Sequence, residues 1–371
     1  MVGVSQLRLA VIFGGRSGEH EISVLSARSV MRGALEAGFD VVGVGITREG
    51  QWVYLGGGRD CLEGRMTEVL PGQGPPCAIM PDPSRRGIFV DRGGAFDKVD
   101  VDAVFPVLHG TYGEDGTIQG LLEMSGLPYV GAPPLGSAVC MDKWTTKKLL
   151  EACGVPHVPA LSVERWAYRK DPQGTVSLVM RSIPLPAFVK PSASGSSLGV
   201  SKVKEPSGLE GALRSAFVYD TRALIEPSQE GALEIECSVL GNDDPKASIA
   251  GQIVPGKEFY DYEAKYMDAG SKLVIPAPLE SHLMEEVQRI AVAAFKACSC
   301  KGMARVDFFV DPVRGRALVS ELNTIPGFTA ISMYPKLWEA SGLPFPALVR
   351  RLVELAMKRQ ADETREVRRV D

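Results

Sequence analysis

A short stretch near the C-terminal end, "SELNTIPG" (320–327), places an acid and an amide where they can act together. Side chains two positions apart in a strand point to the same face, so Glu321 and Asn323 share one space. The preceding segment, "RVDFFVDPVRGRALV", has strand-like alternation followed by a turn. We predict a β-hairpin in which Asp307 lies opposite Ser320 or Glu321, so that two carboxylates and an amide converge on one face.

This group of oxygen atoms is typical of a site for a hard cation. A buried carboxylate needs a cation or a hydrogen-bonding partner, and Mg²⁺ prefers oxygen ligands, including waters and substrate phosphates. A solvated strand face with arginine salt bridges is the ordinary alternative.

Three further segments contain residues suited to binding phosphate. In "FVKPSASGSSLGVSKV", Lys190 precedes small and hydroxyl residues whose backbone N–H groups can surround an anion, although the order is not that of a Walker A loop. "MDKWTTKKLL" places Lys143 in the first turn of a helix, and "EFYDYEAKY" is dense in aromatic and charged residues. Taken singly, each can also be an ordinary loop, a solvated lysine or a surface strand.

Composition limits the class of protein. The chain has 371 residues, of which 45% are apolar and 23% charged, so we expect two or three globular domains. A net charge of −4 without a basic block disfavours nucleic-acid binding, and the lack of a long apolar run predicts no membrane span. Seven cysteines, with one C-x-C pair, and four histidines support neither a disulfide framework nor a zinc cluster, so we expect a reducing cytoplasm.

The elements that position these residues begin with a β-α-β unit. Residues 7–15 are an apolar run typical of a strand buried on both faces, a helix follows over 22–37, and 39–46 is a second strand. Gly38 is placed as the C-terminal cap of the helix. Residues 101–110 predict another buried strand that ends in a Gly-rich loop, so we expect a doubly wound parallel sheet with a ligand at its carboxyl edge.

We predict three domains, at residues 1–135, 136–222 and 223–371. Residues 56–98 are rich in Gly, Pro and Arg and predict loops and short strands. A helix from Lys143 to Cys153 ends at Gly154, and an amphipathic helix from Phe345 to Lys358 lies near the C-terminus.

In order and spacing, the chain resembles the ATP-grasp enzymes, and more closely the D-alanine–D-alanine ligases, over about residues 7–358. The segments that carry the resemblance are "GGRSGEHEIS", "HGTYGEDGTIQG", "MDKWTTK", "VKPSASGSSLG", "EFYDYEAKY", "RVDFF" and "ELNTIPGFT". The resemblance implies an N-terminal α/β domain with a doubly wound parallel sheet, followed by a two-lobed α+β ATP-grasp fold that clamps the nucleotide.

The resemblance also implies a set of residues for ATP and metal. Phosphate contacts are implied for Lys143, Lys190, Ser196, Ser197 and Lys265, and contacts to adenine and ribose for Glu226 and Glu234. Glu236, two residues further along the same strand face, is an open alternative for the ribose. Two Mg²⁺ or Mn²⁺ ions would be held by Asp307, Glu321 and Asn323.

The implied reaction phosphorylates one D-alanine carboxylate and then lets the amine of a second D-alanine attack the acylphosphate, supplying D-alanyl-D-alanine for peptidoglycan. Water must be excluded, and residues 260–272 are implied as the lid. The implied catalytic residues are Glu19, Ser196, Lys265, Tyr266 and Arg305. The implied substrate contacts are Glu19, His109, Arg305, Gly327, Ser332 and Met333.

Several alternatives stay open at this point. A related ligase could use D-lactate or D-serine as the acceptor, although the Lys265-Tyr266 pair favours the dipeptide. An NAD-dependent oxidoreductase is disfavoured because "GGRSGE" is not G-x-G-x-x-G and no acid ends the second strand. A nucleotide-binding module without catalysis is disfavoured by the full set of lysines and acids. Family analogy and the amphipathic C-terminal helix suggest a homodimer.

Overall fold

The computed structural model describes residues 6–63, 66–195, 198–255, 272–329 and 331–363, whose strands form four sheets. The N-terminal sheet contains β1 (Arg8–Gly14), β2 (Asp40–Ile46), β3 (Trp52–Gly57) and β7 (Ala103–Val107), in the order β3-β2-β1-β7. Both β2 and β7 run parallel to β1, whereas β3 is an antiparallel edge strand. The predicted β-α-β start and the additional buried strand are confirmed.

The helix between the first two strands, α1 (His20–Glu36), begins two residues before its predicted start. Gly38 follows it with φ of +86°. This left-handed conformation strains residues that carry a Cβ, so glycine suits the cap.

The N-terminal sheet is covered on both faces, which explains the unbroken apolar run of β1. One face packs on α1, α2 (Gly58–Glu63) and the C-terminal helix α11 (Phe345–Glu363). The other packs on α3 (Thr117–Ser125) and on a three-stranded antiparallel sheet. That small sheet consists of β4 (Cys77–Ile79), β5 (Ile88–Asp91) and β6 (Phe96–Val99).

The C-terminal helix α11 is part of the N-terminal core. Leu348, Val349 and Leu352 are at most 1% exposed in the same cluster as β1 and α1. A Cβ on Gly33 of α1 would lie 2.5 Å from Cε1 of Phe345, so the glycine permits the close approach of the two helices. Packing within one chain therefore accounts for the amphipathic pattern of α11, which removes it as an argument for a dimer.

The second large sheet is antiparallel throughout and has the order β10-β9-β11-β8. Its strands are β8 (Leu161–Glu164), β9 (Ala187–Pro191), β10 (Ser201–Val203) and β11 (Arg222–Pro227), and its helices are α6 (Arg165–Lys170), α7 (Pro172–Ser182) and α8 (Leu209–Tyr219). Because β11 pairs with β8 and β9, sheet pairing favours a domain junction after Pro227 rather than at 222.

The third large sheet is also antiparallel and has the order β14-β13-β12-β15-β16. Its strands are β12 (Leu233–Gly241), β13 (Lys246–Val254), β14 (Lys272–Val274), β15 (Gly302–Asp311) and β16 (Arg316–Asn323). Apolar residues of α4 (Pro134–Met141), α5 (Lys143–Ala152) and α9 (Ser281–Ala297) share its core. The remaining helix, α10 (Met333–Ala340), packs on β12 and β13. Within the described ranges, we find no helix with the length and apolarity needed to cross a bilayer.

Candidate active site

The hairpin of β15 and β16 has the predicted geometry. Asp307 pairs with Glu321 and Arg305 pairs with Asn323 in the antiparallel register. The register shifts after Asp307, where Phe308 pairs with Val319, so Ser320 is the extra residue of a β-bulge. Of the two partners predicted for Asp307, the structure therefore selects Glu321.

Arg305 holds the carboxylate of Asp307 in two hydrogen bonds. Its Nε donates to Oδ1 and its Nη2 donates to Oδ2, both at 2.7 Å, while Nδ2 of Asn323 donates to Oδ2 at 3.0 Å. Glu236 on β12 lies opposite Asp307, with its Oε2 3.0 Å from the Nε of Arg305. Glu236 is thus an ion-pair partner of this arginine.

Two lysines flank the acid predicted to bind adenine. The Nζ of Lys190 lies 2.8 Å from Oε2 of Glu226, and the Nζ of Lys147 lies 2.9 Å from Oε1. Burial by itself raises the pKa of Glu226, but the two lysines outweigh it and hold that pKa below its ordinary value. Burial likewise opposes the charge of Lys190, yet Glu226 and Glu321 raise the pKa of Lys190. Both groups are therefore charged at neutral pH.

Lys143 bridges the phosphate loop and the hairpin. Its Nζ donates to the carbonyl of Ser194 at 2.7 Å and lies 3.6 Å from Oε2 of Glu321. Asp142 caps α5 by accepting from the N–H of Thr145 at 2.8 Å, which fixes the first turn on which Lys143 stands. The two predicted phosphate-binding lysines thus face the acids of the hairpin and of β11.

Glu19 lies at the N-terminal end of α1, where it is 8% exposed. Two glycines from different parts of the chain make room for it. A Cβ on Gly110 would lie 2.8 Å from Oε2 of Glu19, and one on Gly195 would lie 3.1 Å from it. The carboxylate is therefore packed between the loop after β7 and the phosphate loop, as expected for a group that joins the two.

His109 is buried and uses both ring nitrogens inside the protein. Nδ1 lies 3.0 Å from the carbonyl of Ile325, so it carries the proton and donates, while Nε2 lies 3.1 Å from the hydroxyl of Ser26. Burial lowers the pKa of His109 against the opposing charge of Glu19, so the ring is neutral and Nε2 accepts from Ser26. We interpret His109 as a residue that positions the loop after β16.

Glu114 holds the same loop from its other side. Its Oε1 accepts from the N–H of Ile325 at 3.2 Å and its Oε2 accepts from the N–H of Gly110 at 2.8 Å. Burial and the nearby charge of Glu19 raise the pKa of Glu114 to about 8, although both N–H groups favour the ionised form.

The turn predicted to bind the second substrate is compact. The Oγ of Ser332 accepts from the N–H of Thr329 at 3.0 Å, and a Cβ on Gly327 would lie 2.8 Å from that oxygen. Met333 is 3% exposed, and its Cε lies 2.7 Å from an added Cβ at Gly251, so its side chain faces the core. Any contact of Met333 with a substrate must therefore come from its backbone.

Four predicted residues lie outside the described part of the chain: Ser196, Ser197, Lys265 and Tyr266. The other predicted site residues line one cleft of about 420 Å³. Those residues are Glu19, His109, Lys143, Lys190, Glu226, Glu234, Arg305, Asp307, Glu321, Asn323, Gly327, Ser332 and Met333, and Glu114 and Glu236 line the cleft with them.

The lining of the cleft suits ATP and offers part of a ligand shell for a divalent ion. Glu226 lines the cleft as a buried, ionised acceptor, which suits the amino group of adenine. In the described part of the chain, the His, Cys, Asp and Glu side chains form no group of three or more that could hold a metal ion by itself. The hairpin supplies two carboxylates and an amide, so phosphate and water oxygens would have to complete an ion's shell.

Sequence reasoning missed Lys147 and Glu114 and left Glu236 as an alternative. Lys147 could have been found from its spacing to Lys143, which is on the same helix. Residues four apart lie on one face of a helix, so the two lysines point to the same side. Glu114 is a loop acid that accepts from Gly110, four residues away. Its contact with Ile325 crosses 211 residues, which no local pattern reveals.

Comparison with known proteins identifies the family. Residues 8–132 match the model described as D-ala D-ala ligase N-terminus, and residues 149–354 match the one described as D-ala D-ala ligase C-terminus. A D-alanine--D-alanine ligase of Caldicellulosiruptor bescii is 45% identical, over 96% of each chain. One from Thermoanaerobacter sp. is 46% identical, over 97% of this chain and 99% of the relative.

Solved structures agree with this assignment. The D-alanine-D-alanine ligase from Coxiella burnetii has a TM-score of 0.82 and 38% identity, over 96% of each chain. The VanG D-Ala:D-Ser ligase from Enterococcus faecalis has a TM-score of 0.83 and 35% identity, over 95% of this chain and 99% of the other. The matched models, the relatives and the mixed α/β architecture lead to one conclusion: the chain belongs to the D-alanine–D-alanine ligase family.

Proposed function

We propose that the chain uses ATP to join two D-alanines into D-alanyl-D-alanine, for peptidoglycan synthesis. The observation that carries the proposal is the register of the hairpin, in which Asp307 faces Glu321 while the Nζ of Lys143 lies 3.6 Å from Glu321. A carboxylate pair beside buried lysines suits a nucleotide triphosphate bound with metal ions. Family membership gives the same assignment.

The nucleotide would be held by residues from both lobes of the cleft. Lys143 and Lys190 would contact phosphate oxygens, and Glu226 and Glu234 would bind the adenine amino group and the ribose. Ser196, Ser197 and Lys265 complete the proposed phosphate contacts. Asp307, Glu321 and Asn323 would hold two Mg²⁺ or Mn²⁺ ions, whose charge would offset that of the phosphates.

The reaction would proceed in two steps. A carboxylate oxygen of the first D-alanine attacks the γ-phosphorus, ADP leaves and an acylphosphate forms; the amine of the second D-alanine then attacks the acyl carbon, loses a proton and expels phosphate. Glu19 would bind the first ammonium, together with Ser196 and Tyr266, and Arg305 would stabilise charge on the reacting carboxylate. The backbone at Gly327 and Met333 and the hydroxyl of Ser332 would bind the second carboxylate, in a region that His109 helps to position.

A direct assay tests the proposal. The protein is incubated with ATP, Mg²⁺ and isotopically labelled D-alanine, ADP release is followed, and the product is identified by mass. We expect ADP release that requires D-alanine and stops when EDTA removes the metal, and Glu321→Gln should abolish turnover. ATP turnover that is indifferent to D-alanine and other D-amino acids would contradict the function, and unchanged turnover in Glu321→Gln would contradict the metal site.

A second candidate differs in the acceptor. The similarity to a D-Ala:D-Ser ligase, with a TM-score of 0.83, favours D-serine as the acceptor to test first, followed by D-lactate. Mixed-acceptor incubations at several pH values separate the three products by mass. A predominance of D-alanyl-D-serine would move the assignment to this second candidate.

The proposal extends to the organisation of the protein. The sequence predicts domains at 1–135, 136–222 and 223–371, and we propose that the second extends to Pro227 because β11 pairs with β8 and β9. The ATP-grasp arrangement of the last two domains and a homodimer are inferred from the resemblance, and a cytoplasmic location from the cysteine content. Light scattering on the purified chain tests the homodimer, because a monomer and a dimer differ twofold in mass.

A further inference from the structure

A buried lysine, Lys147, lies behind the candidate nucleotide site. It stands on α5 four residues after Lys143, and its side chain is 2% exposed. By contrast, the side chain of Lys190 is 13% exposed and lines the cleft. Lysine is among the residues least often fully buried, so a sealed ammonium group requires compensating partners.

The ammonium group of Lys147 has partners from three segments. Its Nζ donates to the carbonyl of Val158 at 2.9 Å and to the carbonyl of Ser320, on the hairpin, at 3.5 Å. Its Nζ also lies 2.9 Å from Oε1 of Glu226, with which it forms a buried ion pair. Two carbonyls and one carboxylate thus compensate the buried charge of Lys147.

The charges around Glu226 do not cancel. One carboxylate lies between two ammonium groups, with Lys147 on Oε1 and Lys190 on Oε2. Taken by themselves, these three residues carry one surplus positive charge. Lys190 and Glu226 line the cleft and Lys147 does not, so Lys147 balances Glu226 from the side away from the cleft and Lys190 carries the surplus charge on the cleft side. Without Lys147, Glu226 would neutralise Lys190 in a poorly solvated setting, where charges interact strongly.

We propose that Lys147 is a positioning residue for the nucleotide: it balances Glu226 from behind and so keeps the charge of Lys190 available to a phosphate. This inference rests on the proposed ATP-dependent ligation and assigns a role to a residue that does not touch the substrate.

The first test removes the charge with Lys147→Met and compares it with Lys148→Met. Lys148 is the next residue on α5, is 51% exposed and forms a surface ion pair with Glu151, so it is a matched control. We expect Lys147→Met to raise the KM for ATP by about tenfold or more, with the KM for D-alanine changed by less than about twofold. The control should leave both values unchanged. Folding of each variant is checked by its Tm.

The second test separates a charge effect from a packing effect. In Lys147→Met/Glu226→Gln the carboxylate that pairs with Lys190 at 2.8 Å is removed, so we expect the KM for ATP to fall below that of Lys147→Met. If Lys147→Met does not fold, the double variant is compared with Glu226→Gln, and no further rise in the KM for ATP is expected. A double variant that is worse than each folded single variant would overturn the inference, because lost packing adds to the damage.

The outcomes distinguish the inference from the function on which it rests. A wild-type protein without D-alanine-dependent ADP release overturns the proposed function. A wild-type protein that turns over, with a folded Lys147→Met variant whose KM for ATP is unchanged, overturns the role of Lys147 alone.

Discussion

His109 donates from Nδ1 to the main-chain carbonyl of Ile325, 3.0 Å away and 216 residues further along the chain. Glu114 accepts from the N–H of the same residue at 3.2 Å. One residue of the loop after β16 is thus held through both of its main-chain polar groups by the loop after β7. The proposed metal-binding strand and the proposed pocket for the second substrate are consequently fixed to the N-terminal sheet.

We call the two contacts of His109 and Glu114 with the main chain of Ile325 the clamp. Replacing His109 tests it. We expect His109→Ala to lower the free energy of unfolding by about 1–3 kcal/mol, because it leaves the buried carbonyl of Ile325 without its donor. We also expect the KM for D-alanine to rise more than the KM for ATP. Chemical denaturation and steady-state kinetics measure the two effects. His282→Ala is the control, since that side chain is 72% exposed; equal effects in the two variants would contradict the clamp.

The raised pKa of Glu114 predicts a pH-dependent stability. With a pKa of about 8 in the folded protein against 4.5 for the ordinary side chain, the native state binds more protons between these values. The contribution of Glu114 to stability is therefore full below about pH 4.5 and declines as the pH rises towards 8.

Chemical denaturation at pH 5.5 and pH 8.5 checks whether stability declines as the pH rises. Relative to Glu114→Gln, which cannot ionise, we expect the wild type to lose more than about 1 kcal/mol of stability between the two pH values. Glu285→Gln, on the exposed side of α9, should follow the wild type. A parallel decline in wild type and Glu114→Gln would show that other groups cause the pH dependence.

Arg305 is expected to be the most sensitive basic residue of the cleft. Its guanidinium holds Asp307 through two hydrogen bonds of 2.7 Å, a geometry that lysine cannot reproduce. We expect Arg305→Lys to lower kcat by about 10²–10³, the usual cost of losing one preorganised donor. The control is Arg289→Lys, which alters a 65%-exposed ion pair on α9. A kcat within about threefold of wild type would remove Arg305 from the catalytic set.

The close contact between Gly327 and Ser332 predicts that stability lost by a substitution at Gly327 can be recovered by a second substitution at Ser332. An added Cβ at Gly327 would lie 2.8 Å from Oγ of Ser332, so Gly327→Ala should destabilise the fold by about 1–3 kcal/mol. Removing the hydroxyl in Gly327→Ala/Ser332→Ala should recover much of that loss while the KM for D-alanine stays raised.

Thermal and chemical denaturation measure the defect against Gly120→Ala. Gly120 lies in α3 with no atom within 4 Å of an added Cβ, so alanine there should be neutral or stabilise by up to about 1 kcal/mol. If the double variant is no more stable than Gly327→Ala, the clash with Ser332 is not the cause.

Local patterns predicted those parts of the molecule whose partners are close in sequence. The turn at 312–315 fixed the hairpin closely enough to bring Asp307 opposite Ser320 or Glu321, and the bulge at Ser320 then decided between them. The β-α-β start and the Gly38 cap were confirmed for the same reason. Residues such as Glu114 could not be found, because their contacts depend on how distant loops pack.

The pairing of β11 shows a different limit. The composition of Arg222–Pro227 predicts a strand but not the lobe to which the strand belongs. Its hydrogen bonds to β8 and β9 place it in the second sheet. The role of Glu236 was open for a similar reason. Its alternation with Glu234 gave both acids the same face, and the ion pair of Glu236 with Arg305 on the neighbouring strand is a contact that the alternation does not predict.

The contribution of α11 to the first core has a consequence for biosynthesis. Leu348, Val349 and Leu352 cover apolar surface of the sheet that residues 8–46 begin. On the ribosome, that surface is made long before α11 and stays uncovered until α11 has emerged. Nascent chains stalled before residue 345 should therefore be prone to aggregation and dependent on chaperones.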